Sequence, residues 1–515
     1  MKVCLIEPPK FVSLTNPVST VNMPPIGLAY IASAIRDDGY DVEVIDGPGS
    51  APRNYFTINS LKGVRVRGLT IEQIVDRIPN NVDVVGLGCM FTSHWVLVRE
   101  LICKIRERFS SAHIVMGGEH GTGFPELSLQ SSPLDCVVMG EGEEIVVDLL
   151  RQLKNGNSFK GLEGIAYRER DKVCINPRRK RIQDIDSISW PAWDLFNIEK
   201  YNEVNQPHGT SRGRFIPMLA TRGCPYSCTF CTSPDMWTTE WLARNPQAVA
   251  DEIQYYYKNY GILDFQFEDL TAIIRKDWVH EFCDEIIGRG VKITFQLPSG
   301  TRSEAIDFEL GEKLKAAGCH DFAFAPESGD VRILKAIKKK IHLPDMFDAA
   351  KAAMRAGINV GCYFILGFPE DNYKSVFKTY CTIIKCAFLG FSHINLNAYS
   401  PQPNTESFQK LKKDGVIKEL SDEYFLSLFT FQDHGAKKKS YNTRFSDWEI
   451  SFLIALGMSL FYIFYFLRRP NRGGLLVIEL FSSHSSNKTI KGFKSTLREA
   501  SMILKNKIQG FLRSP

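Results

Sequence analysis

The chain has 515 residues, 44% of them hydrophobic and 23% charged, and a formal net charge of +5. That length leaves room for two to four domains with buried cores, and so small a net charge argues against nucleic acid as a partner. The short basic runs at 178–181, 338–340 and 437–439 read as solvated surface. Thirteen cysteines follow a start, Met1-Lys2, that leads straight into an apolar strand instead of a signal-peptide core. They are expected to be cytoplasmic thiols serving as core residues, ligands or catalysts.

Residues 1–150 alternate strand and helix patterns. Strands are expected at 3–6, 42–45, 82–87, 114–116 and 136–139, and helices at 27–35 and 96–108. Leu28, Ile31, Ala32 and Ile35 share one face of the first helix, which Gly39 closes. Such alternation indicates a doubly wound parallel, Rossmann-like sheet. Residues 151–207 form a connector with a hairpin tip at 168–172. The alternation resumes over 208–420, with strands at 216–220, 264–267, 293–296, 321–325, 360–366 and 394–398. Six repeats suggest a partial (β/α)6 barrel of the TIM type, whose chemistry belongs at the C-terminal strand ends.

Residues 421–515 look mainly helical. Within them 450–467 is uncharged and largely apolar, at the lower length limit for a membrane span. Polar residues dilute it, so a helix buried against the barrel explains it slightly better than an anchor, with membrane contact as the alternative.

The strongest chemical signal is Cys224-Pro225-Tyr226-Ser227-Cys228-Thr229-Phe230-Cys231, in a turn-rich loop after the first barrel strand. Scattering the cysteines at random would produce this spacing with an expectation of roughly 0.01. Three thiolates on one short loop can ligate three irons of a cubane and leave the fourth open. A structural zinc site would require a fourth ligand, usually from a second close pair, and none is suitably spaced.

This spacing, with the aromatic Phe230 before the last cysteine, resembles the signature of the radical S-adenosylmethionine (radical SAM) superfamily. The resemblance implies a 4Fe-4S cluster on Cys224, Cys228 and Cys231 whose open iron chelates S-adenosylmethionine. One electron from an external flavodoxin- or ferredoxin-like reductant would then release a 5′-deoxyadenosyl radical. It further implies that Phe230, Glu327 and Ser328 (in Ala325-Pro326-Glu327-Ser328-Gly329) and Gly367 (in the 361–370 strand and turn) contact S-adenosylmethionine. Phe267-Glu268-Asp269 matches a commonly acidic strand end. Pro401-Gln402-Pro403-Asn404-Thr405 resembles a Pro-x-Pro-Gly-Thr turn in which Asn404 replaces glycine and tolerates positive φ.

Glycine clusters lie at three expected strand ends of the first half: Gly86-Leu87-Gly88 leading to Ser93, Gly117-Gly118, and Gly140-Glu141-Gly142. No Gly-x-Gly-x-x-Gly follows the first strand, which counts against a dinucleotide site. With the helix start at 24–28 these segments resemble the cobalamin-binding domain joined to one branch of the radical enzymes, over roughly residues 1–410. The resemblance implies cobalamin beside Ser93, Gly117, Gly118, Gly140 and Gly142. The Asp-x-His-x-x-Gly motif is absent, and His94 and His120 read as ordinary polar residues.

Both cofactor domains in one chain make a cobalamin-dependent radical methyltransferase, acting on an unactivated carbon of a small molecule, the leading expectation. The alternatives are a ring-closing or other rearranging enzyme, as in anaerobic magnesium-porphyrin biosynthesis, and a non-catalytic cluster or cobalamin sensor. A methylthiotransferase is disfavoured because Cys4, Cys89, Cys103 and Cys136 are poorly placed to hold a second cluster.

Overall fold

The computed structural model describes residues 1–470 except 14–20, 59–60, 62–63, 171 and 430–437. Seven strands build the N-terminal sheet: β1 (Lys2–Glu7), β2 (Asp41–Asp46), β3 (Val84–Gly88), β4 (His113–Gly117), β5 (Cys136–Val138), β6 (Ile165–Glu169) and β7 (Lys172–Ile175). Their order is β7-β6-β5-β4-β3-β1-β2. The first five are parallel, and β6 and β7 add an antiparallel edge at the expected hairpin, whose tip residue Asp171 lies outside the described residues. Helices α1 (Ile26–Asp37), α2 (Trp95–Arg108) and α3 (Gly142–Lys154) join or follow these strands. The strand order reverses between β1 and β3, so the ligand crevice of such a sheet opens at their C-terminal ends. The exposed Met90 and Phe91 lie there, just after β3.

The second sheet runs in chain order and is parallel throughout: β8 (Phe215–Met218), β9 (Asp264–Phe267), β10 (Thr294–Thr301), β11 (Cys319–Glu327), β12 (Asn359–Leu366) and β13 (His393–Ala398). Its outer helices are α4 (Pro246–Tyr260), α5 (Lys276–Gly288), α6 (Phe308–Ala316), α7 (Leu343–Arg355) and α8 (Tyr373–Leu389). Alternation along each strand sends aromatic residues outward, as in Phe267 against Phe282 and Phe295, with ring centroids 5.8 and 5.6 Å apart. A small antiparallel sheet (Lys10–Val12, Tyr55–Phe56, Arg65–Arg67), unforeseen in the sequence, flanks the first domain.

The apolar run at 450–467 lies within α9 (Asp447–Arg468), capped by Ser446 and Glu449 and ended before Pro470. It is neither a fully buried core helix nor free of the protein. Ile450, Ile454, Gly457, Phe461 and Tyr465 form its buried stripe, packed on α8 and β13. At Gly457 a Cβ would sit 2.5 Å from Leu396 Cδ2 and 2.9 Å from Tyr380 Cε1. In an open helix, replacing glycine gains up to about 1 kcal/mol. Here overpacking of about 1–3 kcal/mol wins, so Gly457→Val is expected to lower the urea midpoint. An unchanged or raised midpoint would mean that α9 does not pack tightly on the barrel.

The basic runs are also not simply solvated. The Arg181 and Lys339 side chains are 6% and 14% exposed and are paired with Glu141 and Glu327. Lys438 is buried as well, while its neighbour Lys437 lies outside the described residues.

Candidate active site at the meeting of two sheets

The cysteine loop leaves β8 under tight constraint. Asp269, just beyond β9, accepts from the Ala220 and Thr221 amides and from the Thr221 hydroxyl. Burial pushes its carboxyl up to about 6 despite those donors. Thr221 and Arg222 pair with Leu242 and Ala243 in a two-residue ribbon. Gly223 follows with φ +86, where a Cβ would overlap Glu240 O at 2.1 Å, so only glycine turns the chain into the loop.

Within the loop the Cys231 amide donates to Cys228 O, and the Ser233 amide donates to Cys231 Sγ at 3.5 Å. The Thr229 amide and carbonyl are taken by Ile337 and Ser407, which ties the loop to two later segments. All three cysteines are partly exposed as residues. Burial pushes Cys228 up and Cys231 up to about 12, and the Lys339 ammonium pulls against the rise at Cys228. Among the described residues no three His, Cys, Asp or Glu side chains converge on a point that would hold a single ion. In a cubane each of three thiolates would bond a different iron.

Across the strand ends, Glu327 closes β11 at φ +71, a conformation that costs a non-glycine residue energy and clusters at functional sites. Its Oε1 accepts from Lys339 Nζ at 2.9 Å. Ser328 Oγ accepts from the Asp330 amide and lies 3.3 Å from Thr379 Oγ1, so the turn is pinned to α8. The amides of Gly367 and Phe368 both donate to Asp371 Oδ2, and Asn442 donates to Phe368 O. Phe230 packs edge-on against Phe368 at 5.3 Å. Asn404 adopts φ +54, as a glycine-like turn requires, and donates to Gly123 O of the first domain. Lys339, Asp371 and Asn442 carry no local sequence motif, and reasoning along the chain missed them.

On the facing sheet, Gly117 ends β4, and a Cβ there would touch only Val138, at 3.9 Å, leaving space beside it. Gly118 packs on Cys89, Gly140 N–H donates to Thr122 Oγ1, and Gly142 lies against Ile31. Ser93 Oγ is 3.2 Å from His94 Nδ1. His94 Nε2 accepts the Phe11 amide at 3.0 Å, so its lone pair is used. His120 is fully buried and stacked on Trp95 at 4.6 Å, with Phe124 and Phe425 edge-on. The His94 ring is thus hydrogen-bonded through both nitrogens, whereas both ring nitrogens of His120 are buried without a hydrogen-bond partner among the described residues. The open glycine edge and the exposed Met90-Phe91 ledge suit a large, partly apolar ring such as cobalamin.

The two domains meet at the cysteine loop. Thr232 Oγ1 donates to Glu119 Oε2 at 3.1 Å. Arg222, only 6% exposed, donates to Glu141 at 3.2 Å and Glu143 at 2.6 Å, and Arg181 grips the other Glu141 oxygen. The Arg222 guanidinium also stacks over Tyr30 and Trp237.

The barrel lumen opens beneath this junction. Its floor is closed by buried Asp264, Gln266 and Gln296, and the two glutamine amides bind the backbone of Gly209 and Thr210. Higher up, Glu268, Ser299, Tyr363, Asn395 and Asn397 keep partial exposure on inward strand faces. Glu268 Oε2 is bonded to His208 Nδ1 at 3.0 Å and to Ser299 at 3.2 Å, while the buried Oε1 has no partner among the described residues.

Comparison with known proteins agrees with this geometry. A B12 binding domain model matches residues 15–150, and a radical SAM superfamily model matches residues 218–380. The chain is 28% identical, over all of its length and 98% of the other's, to an uncharacterized methyltransferase of Pyrococcus horikoshii. It is 29% identical, over 79% of its length and 82% of the other's, to cytidylyl-2-hydroxyethylphosphonate methyltransferase of Streptomyces wedmorensis. The fold resembles the radical S-adenosylmethionine methyltransferase TsrM of Kitasatospora setae, solved with cobalamin and a [4Fe-4S] cluster. The TM-score is 0.62 at 17% identity, covering 84% of this chain and 86% of that one. With a cobalamin domain and a radical domain matched in the order in which the two sheets are built, the chain belongs to the cobalamin-binding radical S-adenosylmethionine enzymes.

Proposed function

We propose that this enzyme methylates an unactivated carbon of a small polar molecule. In this reading Cys224, Cys228 and Cys231 hold the 4Fe-4S cluster, and Phe230, Glu327, Ser328 and Gly367 contact S-adenosylmethionine. Ser93, Gly117, Gly118, Gly140 and Gly142 border cobalamin. When bound, these cofactors supply a hydrogen-abstracting radical and a transferable methyl group. The observation that carries the reading is the direct contact of the cysteine loop with the glycine-rich strand ends through Thr232–Glu119 and Arg222–Glu141/Glu143. That contact supports a reading in which both cofactors meet at one junction above the inward strand faces.

The protein's own contribution is placement. Asp269 and the Thr229 backbone bonds hold the cysteine loop, and Asp371 holds the Gly367 turn. Glu268, kept in orientation by His208 and Ser299, accepts a hydroxyl or amine of the substrate. Exclusion of bulk water by the domain junction protects reactive intermediates. Reducing equivalents come from an external flavodoxin- or ferredoxin-like protein in the cytoplasm, with membrane contact through 450–467.

The test is anaerobic reconstitution with iron, sulfide and hydroxocobalamin, followed by metal analysis and a dithionite-driven assay for 5′-deoxyadenosine and methylated product. Cluster, stoichiometric cobalt and deoxyadenosine are expected together. Deoxyadenosine without cobalt removes methyl transfer from cobalamin. With the true substrate, a cyclised product in place of a methylated one assigns the ring-closing reaction.

A further inference from the structure

Helices α8 and α9 lie side by side on the outside of the barrel, joined by Tyr373 to Glu449, Tyr380 to Leu453 O, and Phe388 against Phe464 at 5.5 Å. Both run from the active-site end of the barrel to its far end, where Arg469 reaches Ala387 O. Each buries one stripe and leaves an apolar stripe outside. On α9 the outer stripe is Trp448, Phe452, Leu456, Ile463 and Leu467, with Trp448 at 67% and Leu467 at 70% exposure. On α8 it is Tyr373, Phe377 and Phe388, with Phe377 at 66%. Eight large apolar side chains on two adjacent helices form a patch of the kind that soluble monomers rarely leave in water.

The charges along this patch are mainly basic, although Lys378 is paired with Asp330 at 3.0 Å and Glu449 accepts from Tyr373. Lys374, Lys378 and Lys385 are exposed along α8, and Arg468 and Arg469 end α9. The acidic residues of the two helices are confined to Asp447 and Glu449, in the first turn of α9. Residues 471–515 continue directly from that end and carry eight lysines and arginines against two glutamates. An aromatic and aliphatic face rimmed by basic residues matches the chemistry of an anionic membrane interface, which takes apolar side chains below its headgroups and cations among them. The buried stripe of α9 is committed to α8 and β13, which suits a helix lying in the interface better than one surrounded by lipid.

We propose that the α8–α9 face docks the enzyme flat on an anionic lipid bilayer, with α9, about 33 Å long, lying in the interface plane. This sharpens the membrane contact in the functional reading and stands independently of the reaction catalysed.

The test is flotation of the full-length protein with phosphatidylcholine vesicles, with and without phosphatidylglycerol. The wild type is expected to float with anionic vesicles, at least tenfold more than with neutral ones, and to be released by high salt. Phe452→Glu combined with Ile463→Glu is expected to abolish flotation without moving the melting temperature. Lys374→Glu changes a surface charge only, and is expected to weaken binding about fivefold or more, the worth of one lysine beside an anionic surface. Failure of the wild type to float overturns the proposal. So does wild-type flotation of the double variant, which would assign binding to residues 471–515 alone. A dimer in light scattering that the double variant disperses would make this face a protein interface, and also overturns it. None of these outcomes depends on cofactor loading, so they are separable from failure of the methyltransferase reading.

Discussion

Anaerobically purified Cys228→Ala protein is expected to contain little iron, to lack the charge-transfer absorption of a cluster, and to make no 5′-deoxyadenosine. Its fold should survive. Cys228 is partly exposed, and its thiol makes only a weak contact with Lys338 O at 3.9 Å. Removing it therefore deletes little buried surface. Two thiolates cannot keep a cubane against water and chelators, so the expected loss is the whole cluster and not a third of it. Cys224→Ala and Cys231→Ala should behave alike. Cys386→Ala, a buried core cysteine on α8, is the contrast: it should keep the cluster and lose only packing stability. A Cys228→Ala protein that retained wild-type iron and cleaved S-adenosylmethionine would remove the loop from the reaction.

The second large effect concerns the buried charge cluster between the domains. Arg222→Ala strips the cation from Glu143, whose side chain is 10% exposed, and half of the neutralisation from Glu141 at 5%. Breaking a buried pair by deleting one partner costs about 3–5 kcal/mol, because the survivor remains desolvated. Surface ion pairs such as Lys104–Glu107 stay solvated and screened and contribute little by comparison. A large fall in melting temperature is therefore expected. Because Arg222 lies two residues before Cys224, lower iron retention at equal protein concentration is expected too. Arg222→Lys keeps the charge but cannot serve two carboxylates with a planar fork, and should recover only part of the loss. A variant melting within a degree of wild type would show that Glu141 and Glu143 are solvated and that the junction does not rest on them.

The parts of the candidate site that were legible in the sequence are local. The cysteine spacing, the Glu327-Ser328-Gly329 turn, the glycine strand ends and the Asn404 turn each lie within a few consecutive residues. Strand and helix periodicity placed all six barrel strands and the five parallel strands of the first sheet close to where they stand. The groups that position the site come from far along the chain: Asp269 to Thr221, Lys339 to Glu327, Asn442 to Phe368, Glu119 to Thr232. A lone Asp, Lys or Asn has no periodicity, so nothing marks it as a partner until the strands bring it within hydrogen-bond reach. Arg181 and Lys339 were misread for the same reason. A basic run looks solvated in sequence, and only a carboxylate delivered by another element makes burial of one member affordable.

What the sequence by itself determined is the order of the two sheets, the cysteine loop and the chemistry that such a loop can support, because these depend on short-range spacing and alternation. The tertiary structure alone decided how the two domains are clamped together, which polar groups line the lumen, and which half of the apolar helix faces outward. Those outcomes depend on desolvation and charge pairing between residues tens to hundreds of positions apart, where the free energy belongs to the contact and not to either residue.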